Sequence, residues 1–170
     1  NYTNLFKIML LLIMIQRPQY LEKLQKLRDK DLIKVITGVR RCGKSTLLQM
    51  FQQQLISSGV SSKQIQYYNF EDPKNLIWVD KWLDFYNHII EESVKGKKNY
   101  IFLDEIQNIG DFERLADGLF VKKGIDLYIT GSNAYFLSKD IATILSGRMF
   151  EIKVFPLSFS EYISSFSDKS

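Results

Sequence analysis

Gly38-Val39-Arg40-Arg41-Cys42-Gly43-Lys44-Ser45, followed by Thr46, fits the spacing G-x-x-x-x-G-K-[ST] of a phosphate-binding loop. Ahead of it runs Asp31-Leu32-Ile33-Lys34-Val35-Ile36-Thr37, short, apolar and β-branched, the pattern of a buried strand. Behind it, Thr46 to Ile56 carries apolar residues at helical spacing. Strand, loop and helix in that order are the setting the motif requires. Gly38 and Gly43 let the backbone approach an anion with no Cβ in the way, so successive N–H groups converge on phosphate oxygens. Val39, Arg40, Arg41, Cys42 and Thr46 complete the cradle. Lys44 brings a movable positive charge, and Ser45 offers a hydroxyl to Mg²⁺ at a helix N-terminus that favours negative charge.

The chain alternates strand and helix on either side of this loop. Pro18 opens a helix reaching Lys30; Gln64–Phe70 is a strand closed by Glu71-Asp72-Pro73; Asp80–Val94 is a helix with Asp80 as cap. Tyr100–Leu103 is a third strand running into Asp104-Glu105. A helix from about Asp111 to Lys123, a strand Ile125–Thr130, a helix Ala134–Leu145 and a strand Phe150–Phe155 follow. The alternation predicts an α/β fold of P-loop NTPase type: a three-layer sandwich of about five parallel strands with helices on both faces. Ligands of such sheets sit at the carboxyl ends of the strands. Here those ends are Gly38, Glu71-Asp72, Asp104-Glu105 and Ser132-Asn133.

Asp104, after three apolar strand residues, is placed to hold Mg²⁺ directly or through water, opposite Ser45. Glu105 beside it is placed to orient or deprotonate the water attacking a γ-phosphate. Ser132 and Asn133 are candidates to sense that phosphate, with turn formation after Gly131 as the alternative. Arg148 is a candidate to reach the nucleotide of a neighbouring subunit, against a plain helix-end arginine.

Bulk properties narrow the classes further. The 170 residues are 45% hydrophobic and 25% charged, the make-up of one globular domain. The net charge of +4 is mild and its basic residues are spread out, so composition carries no nucleic-acid signature and leaves such a partner unsupported. The basic turn Lys95–Lys98 reads as a solvated loop. Cys42 is the only cysteine, so there is no internal disulfide, which agrees with a reducing, cytoplasmic setting. His88, alone on an amphipathic helix, is given no role. The apolar run Leu5–Ile15 is too short to span a bilayer, and Met14 offers itself as a natural start, making residues 1–13 an extension outside the domain.

Together the motifs resemble the AAA+ superfamily of ATPases, most closely the prokaryotic AAA-type ATPases that carry a further C-terminal domain. The resemblance runs from about Met14 to Tyr162. It rests on Arg17-Pro18-x-Tyr20-Leu21, Ile36 to Leu48, Asn69-Phe70-Glu71-Asp72, Phe102 to Gln107, Ile129 to Asn133, Leu145-Ser146-Gly147-Arg148 and Phe155 to Glu161. It implies ATP and Mg²⁺ as ligands and ATP hydrolysis, and the leading reading is that hydrolysis drives a shape change on an unidentified partner. Lys44 and Ser45 would act in the loop, and Asp104 and Glu105 as the acidic pair. Ser132 or Asn133 would be the phosphate sensor and Arg148 the arginine finger of a homo-oligomer. It also implies that the segment around Arg17 and Tyr20 lies near the adenine, and that 14–165 is the ATPase core, with 166–170 beginning a region that continues into a helical lid. An ATP-binding switch with little turnover, a small-molecule kinase, and a nucleic-acid-associated motor or defence factor are the alternatives.

Overall fold

The computed structural model describes residues 17–131, 147–159 and 161. Helix α1 is Pro18–Leu27, with proline in its first turn where a missing N–H is harmless. Strand β1 (Ile33–Thr37) leads through the Gly38–Gly43 loop into α2 (Lys44–Ser57). There follow β2 (Ile65–Asn69), α3 (Trp82–Glu91), β3 (Asn99–Asp104), α4 (Phe112–Val121), β4 (Ile125–Gly131) and β5 (Met149–Lys153). All pairings are parallel and the sheet order is β2-β3-β4-β1-β5. The expected five-stranded parallel α/β architecture is the one found. Its helix 134–145 lies outside the described residues.

Period-two alternation along the strands builds two cores. Ile33 and Val35 of β1, Ile101 and Leu103 of β3 and Leu127 and Ile129 of β4 face α3 and α4, meeting Phe85, Ile89, Leu115 and Leu119. Ile36, Tyr100, Phe102, Tyr128 and Ile152 face α1 and α2, meeting Leu24, Leu47, Leu48, Phe51 and Leu55. Phe102 and Tyr128, directly opposite in register, stack at 4.7 Å between ring centroids. Both faces being covered, β1 and β3 are buried throughout.

The amino edge of the sheet holds a polar knot. Lys34 of β1 and Asp126 of β4 form a buried ion pair. Lys34 Nζ also donates to the Lys30 carbonyl at 2.7 Å, while Asp126 Oδ2 accepts from the Asp29 amide and the Tyr128 hydroxyl, each at 2.9 Å. This explains why α1 ends at Leu27 and not at Lys30. Arg28 turns extended and Asp29 takes a left-handed φ of 60°, so that the loop delivers its polar groups to the knot.

Other boundaries differ from expectation for local reasons. α2 starts at Lys44, two residues early, because Gly43 sits left-handed at φ 94° and turns the loop directly into the helix. α3 starts at Trp82 with Lys81, not Asp80, at its cap. Two 3₁₀ turns, Ser62–Gln64 and Pro73–Trp78, flank β2. The first takes the Ile65 amide onto the Ser62 carbonyl; beyond the strand, the Asn69 carbonyl accepts from the Asp72 amide at 3.1 Å and from Asn75 Nδ2 at 2.8 Å. The sheet thus ends at β2 with a strand closed at both tips.

Candidate functional site

Because all five strands are parallel, the carboxyl ends of β1, β2 and β3 come to one edge. There Arg40, Arg41, Gly43, Lys44, Ser45, Thr46, Glu71 and Glu105 surround a hollow of about 330 Å³. A larger recess of about 620 Å³ beside β2, lined by Gln66, Tyr68, His88 and Glu92 among others, lies away from these groups and holds no comparable set of cations and acids.

The loop's shape is fixed by close packing. A Cβ on Gly38 would lie 2.4 Å from the Val154 carbonyl oxygen and 2.5 Å from Cys42 Sγ, so only glycine fits. Val39 stands exposed at the loop's outer side, and Cys42 is buried in the core against α2. Lys44 is almost fully buried. Its ammonium donates to the Gly38 carbonyl at 3.2 Å, sits 3.5 Å from that of Val39, and lies 3.4 Å from Glu105 Oε1. Ser45 and Thr46 are half-buried at the first turn of α2, and Arg40 reaches the Glu71 carboxylate at 3.6 Å across the mouth.

The two acids are held differently. Asp104 is fully buried, and both of its oxygens are engaged: Oδ1 by the Thr130 hydroxyl and Oδ2 by the Tyr67 hydroxyl at 2.7 Å. Burial, and then the Asp104 charge, push the Tyr67 hydroxyl far above its usual range, so it stays a donor. Glu105 turns out of the strand at a left-handed φ of 55°. Its amide donates to Thr130 Oγ1 at 2.9 Å, and its Oε2 accepts from Gln107 Nε2 at 2.6 Å. Thr130 therefore holds the Asp104 carboxylate and the Glu105 backbone from β4. The Gln107 amide oxygen is buried and finds no partner among the described residues.

Of the residues singled out from sequence, Gly43, Lys44, Ser45, Thr46, Arg40, Arg41 and Glu105 line the hollow; the Gly38 carbonyl accepts from Lys44, and Asp104 is buried next to Glu105 at the end of β3. Ser132 and Asn133 lie outside the described residues. Arg17 and Tyr20 are buried beneath the loop, with Arg17 donating to the Cys42 carbonyl. Arg148 stands at the opposite edge of the sheet. Its carbonyl accepts from the Ile33 amide at the start of β1, and its guanidinium pairs with Asp117 of α4. That is roughly 13 Å of strand from the loop of its own chain. Thr130, Tyr67, Gln107 and Glu71 were not singled out as individual site residues. Glu71 carried a signal as part of an acidic pair ending a strand, and Gln107 and Thr130 fell within the motif runs Phe102–Gln107 and Ile129–Asn133, whereas Tyr67 carried none.

The donor set suits a metal-bound phosphate chain. Gly43, Lys44 and Ser45 line the hollow together with Glu105, and the buried Asp104 precedes Glu105 at the end of β3. The fold is that of the AAA+ P-loop class. The chain belongs to the AAA domain family, whose model matches residues 30–163. It is 44% identical over 152 residues to an uncharacterized protein of Haemophilus influenzae, covering 88% of this chain and 38% of that one. It is 38% identical over 133 residues to the uncharacterized protein MJ1544 of Methanocaldococcus jannaschii, covering 77% and 28%. The chain thus spans well under half the length of these relatives. Among solved structures it resembles a DNA polymerase III gamma subunit-related protein of Thermotoga maritima (TM-score 0.59, 12% identity, 82% of this chain and 47% of that one). PCH-2 of C. elegans is similar too (0.55, 14%, 82% and 40%). These likenesses carry the fold.

Proposed function

We propose that this chain binds Mg²⁺-ATP in the hollow above Lys44 and hydrolyses it, and that the full-length protein uses the cycle to change shape against a protein partner. The observation that carries the reading is the Lys44–Glu105–Thr130–Asp104 arrangement. A buried cation and a partly open carboxylate stand 3.4 Å apart at the mouth of a glycine-built loop, and one threonine ties the Asp104 carboxylate to the Glu105 backbone amide.

In this reading Lys44 leaves Glu105 for the β- and γ-phosphate oxygens, the Gly43–Ser45 amides donate to the phosphate oxygens, and Ser45 and Asp104 would hold the metal. When bound, Mg²⁺ neutralises and aligns the phosphates. Glu105, released from Lys44, takes the proton of the attacking water. Arg148 serves only a neighbour's site, since its own lies across the sheet. Ser132 and Asn133 remain the proposed phosphate sensors. A cytoplasmic setting supplies the nucleotide and keeps Cys42 reduced.

A second reading has support of its own. Glu105 is gripped by both Lys44 and Gln107, so a protein that binds ATP and turns over slowly, as a switch, fits the same geometry. Phosphate release by the full-length protein separates the two. Glu105→Gln should keep ATP affinity and lose release by 10²-fold or more, on the order of what a general base contributes. Lys44→Ala should lose binding. Release that is absent in the parent, or unchanged in Glu105→Gln, defeats the hydrolysis reading and leaves the switch.

A further inference from the structure

The two ends of the described chain meet beneath the phosphate-binding loop. Arg17, just before α1, is 6% exposed. Its Nη1 donates to the Cys42 carbonyl at 3.1 Å and its Nε pairs with Glu161 at 3.0 Å, while the guanidinium lies 4.5 Å over the Tyr20 ring. Glu161, beyond β5, is held in turn by Gln19 Nε2 at 2.8 Å and the Ser158 amide at 2.8 Å. The Tyr20 hydroxyl accepts from the Phe155 amide at 3.2 Å, closing the same joint.

The carbonyl that Arg17 holds belongs to the Cys42–Gly43 peptide. In a trans peptide the C=O and the following N–H point in opposite directions. Fixing the Cys42 oxygen toward Arg17 therefore aims the Gly43 N–H away from it, on the side where Gly43, Lys44 and Ser45 line the hollow. The flanking groups are tied as well, the Cys42 amide to the Val39 carbonyl at 3.3 Å and the Gly43 carbonyl to the Leu47 amide at 2.9 Å, and Arg17 holds the carbonyl between them. Gly43 is left-handed at φ 94°, a conformation that leaves glycine more backbone freedom than other residues have, so a side-chain hold on the preceding carbonyl matters here.

We infer that Arg17, braced by Glu161, is a positioning residue for the phosphate-binding loop, locking the Cys42–Gly43 peptide so that the Gly43 amide faces the nucleotide phosphates. The inference rests on the nucleotide reading of the hollow, and it gives the Arg17-Pro18-x-Tyr20 and Phe155–Glu161 motifs a common purpose. It differs from an adenine contact, because the guanidinium is spent on protein acceptors.

Two measurements on the full-length protein decide it. Arg17→Ala should speed amide hydrogen exchange at Gly43, Lys44 and Ser45 without ligand, and should weaken binding of a fluorescent Mg²⁺-ATP analogue roughly tenfold, the size expected for losing a charge-assisted hydrogen bond. Arg17→Lys and Glu161→Gln should fall between it and the parent, and they carry the test if Arg17→Ala does not fold. Leu24→Ala, which empties a core position on the same helix, should lower the melting temperature and leave both readouts alone. Loop exchange unchanged in the Arg17 variants, or reproduced by Leu24→Ala, overturns the inference. A parent that binds no nucleotide overturns the ATP reading instead, and the exchange comparison still decides the positioning role.

Discussion

Thr130 is the residue on which the acidic pair turns. Its single hydroxyl donates to Asp104 and accepts from the Glu105 amide, so replacing it with valine strips a donor from a fully buried carboxylate and an acceptor from a strained, left-handed residue. Thr130→Val should destabilise by about 1–3 kcal/mol and lower turnover more than it weakens ATP binding, as read by denaturant titration beside phosphate release. Gly38→Ala should be worse for the loop, since its methyl would sit 2.4 Å from the Val154 carbonyl oxygen; loss of nucleotide binding in a chain that still melts cooperatively is the expected outcome. The loop and Asp104-Glu105 were readable in sequence because each is a contiguous run whose spacing carries the chemistry. Thr130 and Tyr67 were not, because they reach Asp104 through sheet order: β4 and β2 flank β3 in space and are distant from it along the chain.

At the scale of elements, the strands and long helices followed their period-two and period-3.6 patterns, which is why the described residues hold five strands where about five were expected. The 3₁₀ turn Pro73–Trp78 followed no such pattern, with Leu76 and Ile77 exposed and Trp78 packed on His88 at 5.0 Å. The end of α1 was equally opaque, since it is set by Asp126, nearly a hundred residues on. That buried knot makes a prediction of its own. Changing Lys34 to Met or Asp126 to Leu alone leaves one charge buried without its partner and should cost about 3–5 kcal/mol. The double change should recover most of that loss in equilibrium unfolding.

For the whole molecule, the joint between the chain's ends has a pH signature. Burial would raise the Glu161 carboxyl, but hydrogen bonds from Ser158, Gln19 and Arg17 outweigh it and pull it down to about 2. A carboxyl lowered on folding stabilises fully above its ordinary value near 4.5 and loses that contribution as pH falls toward 2. The melting-temperature gap between the parent and Glu161→Gln should accordingly be widest above pH 5 and narrow as pH is lowered to 3. Arg148 makes the other prediction at this scale. If a neighbour completes the site, the specific activity of the full-length protein rises with its concentration, and Arg148→Ala abolishes the rise while monomer nucleotide affinity stays.

The closed tips of β2 bear on how such molecules coexist in a crowded solution. A bare outer strand invites the strand of another chain to zip on, the first step toward fibres. With the Ile65 amide and the Asn69 carbonyl already committed to their own turns, an incoming strand at this border finds little to grasp at either end. Growth by stacking sheet against sheet along this side is discouraged before any side chain is consulted.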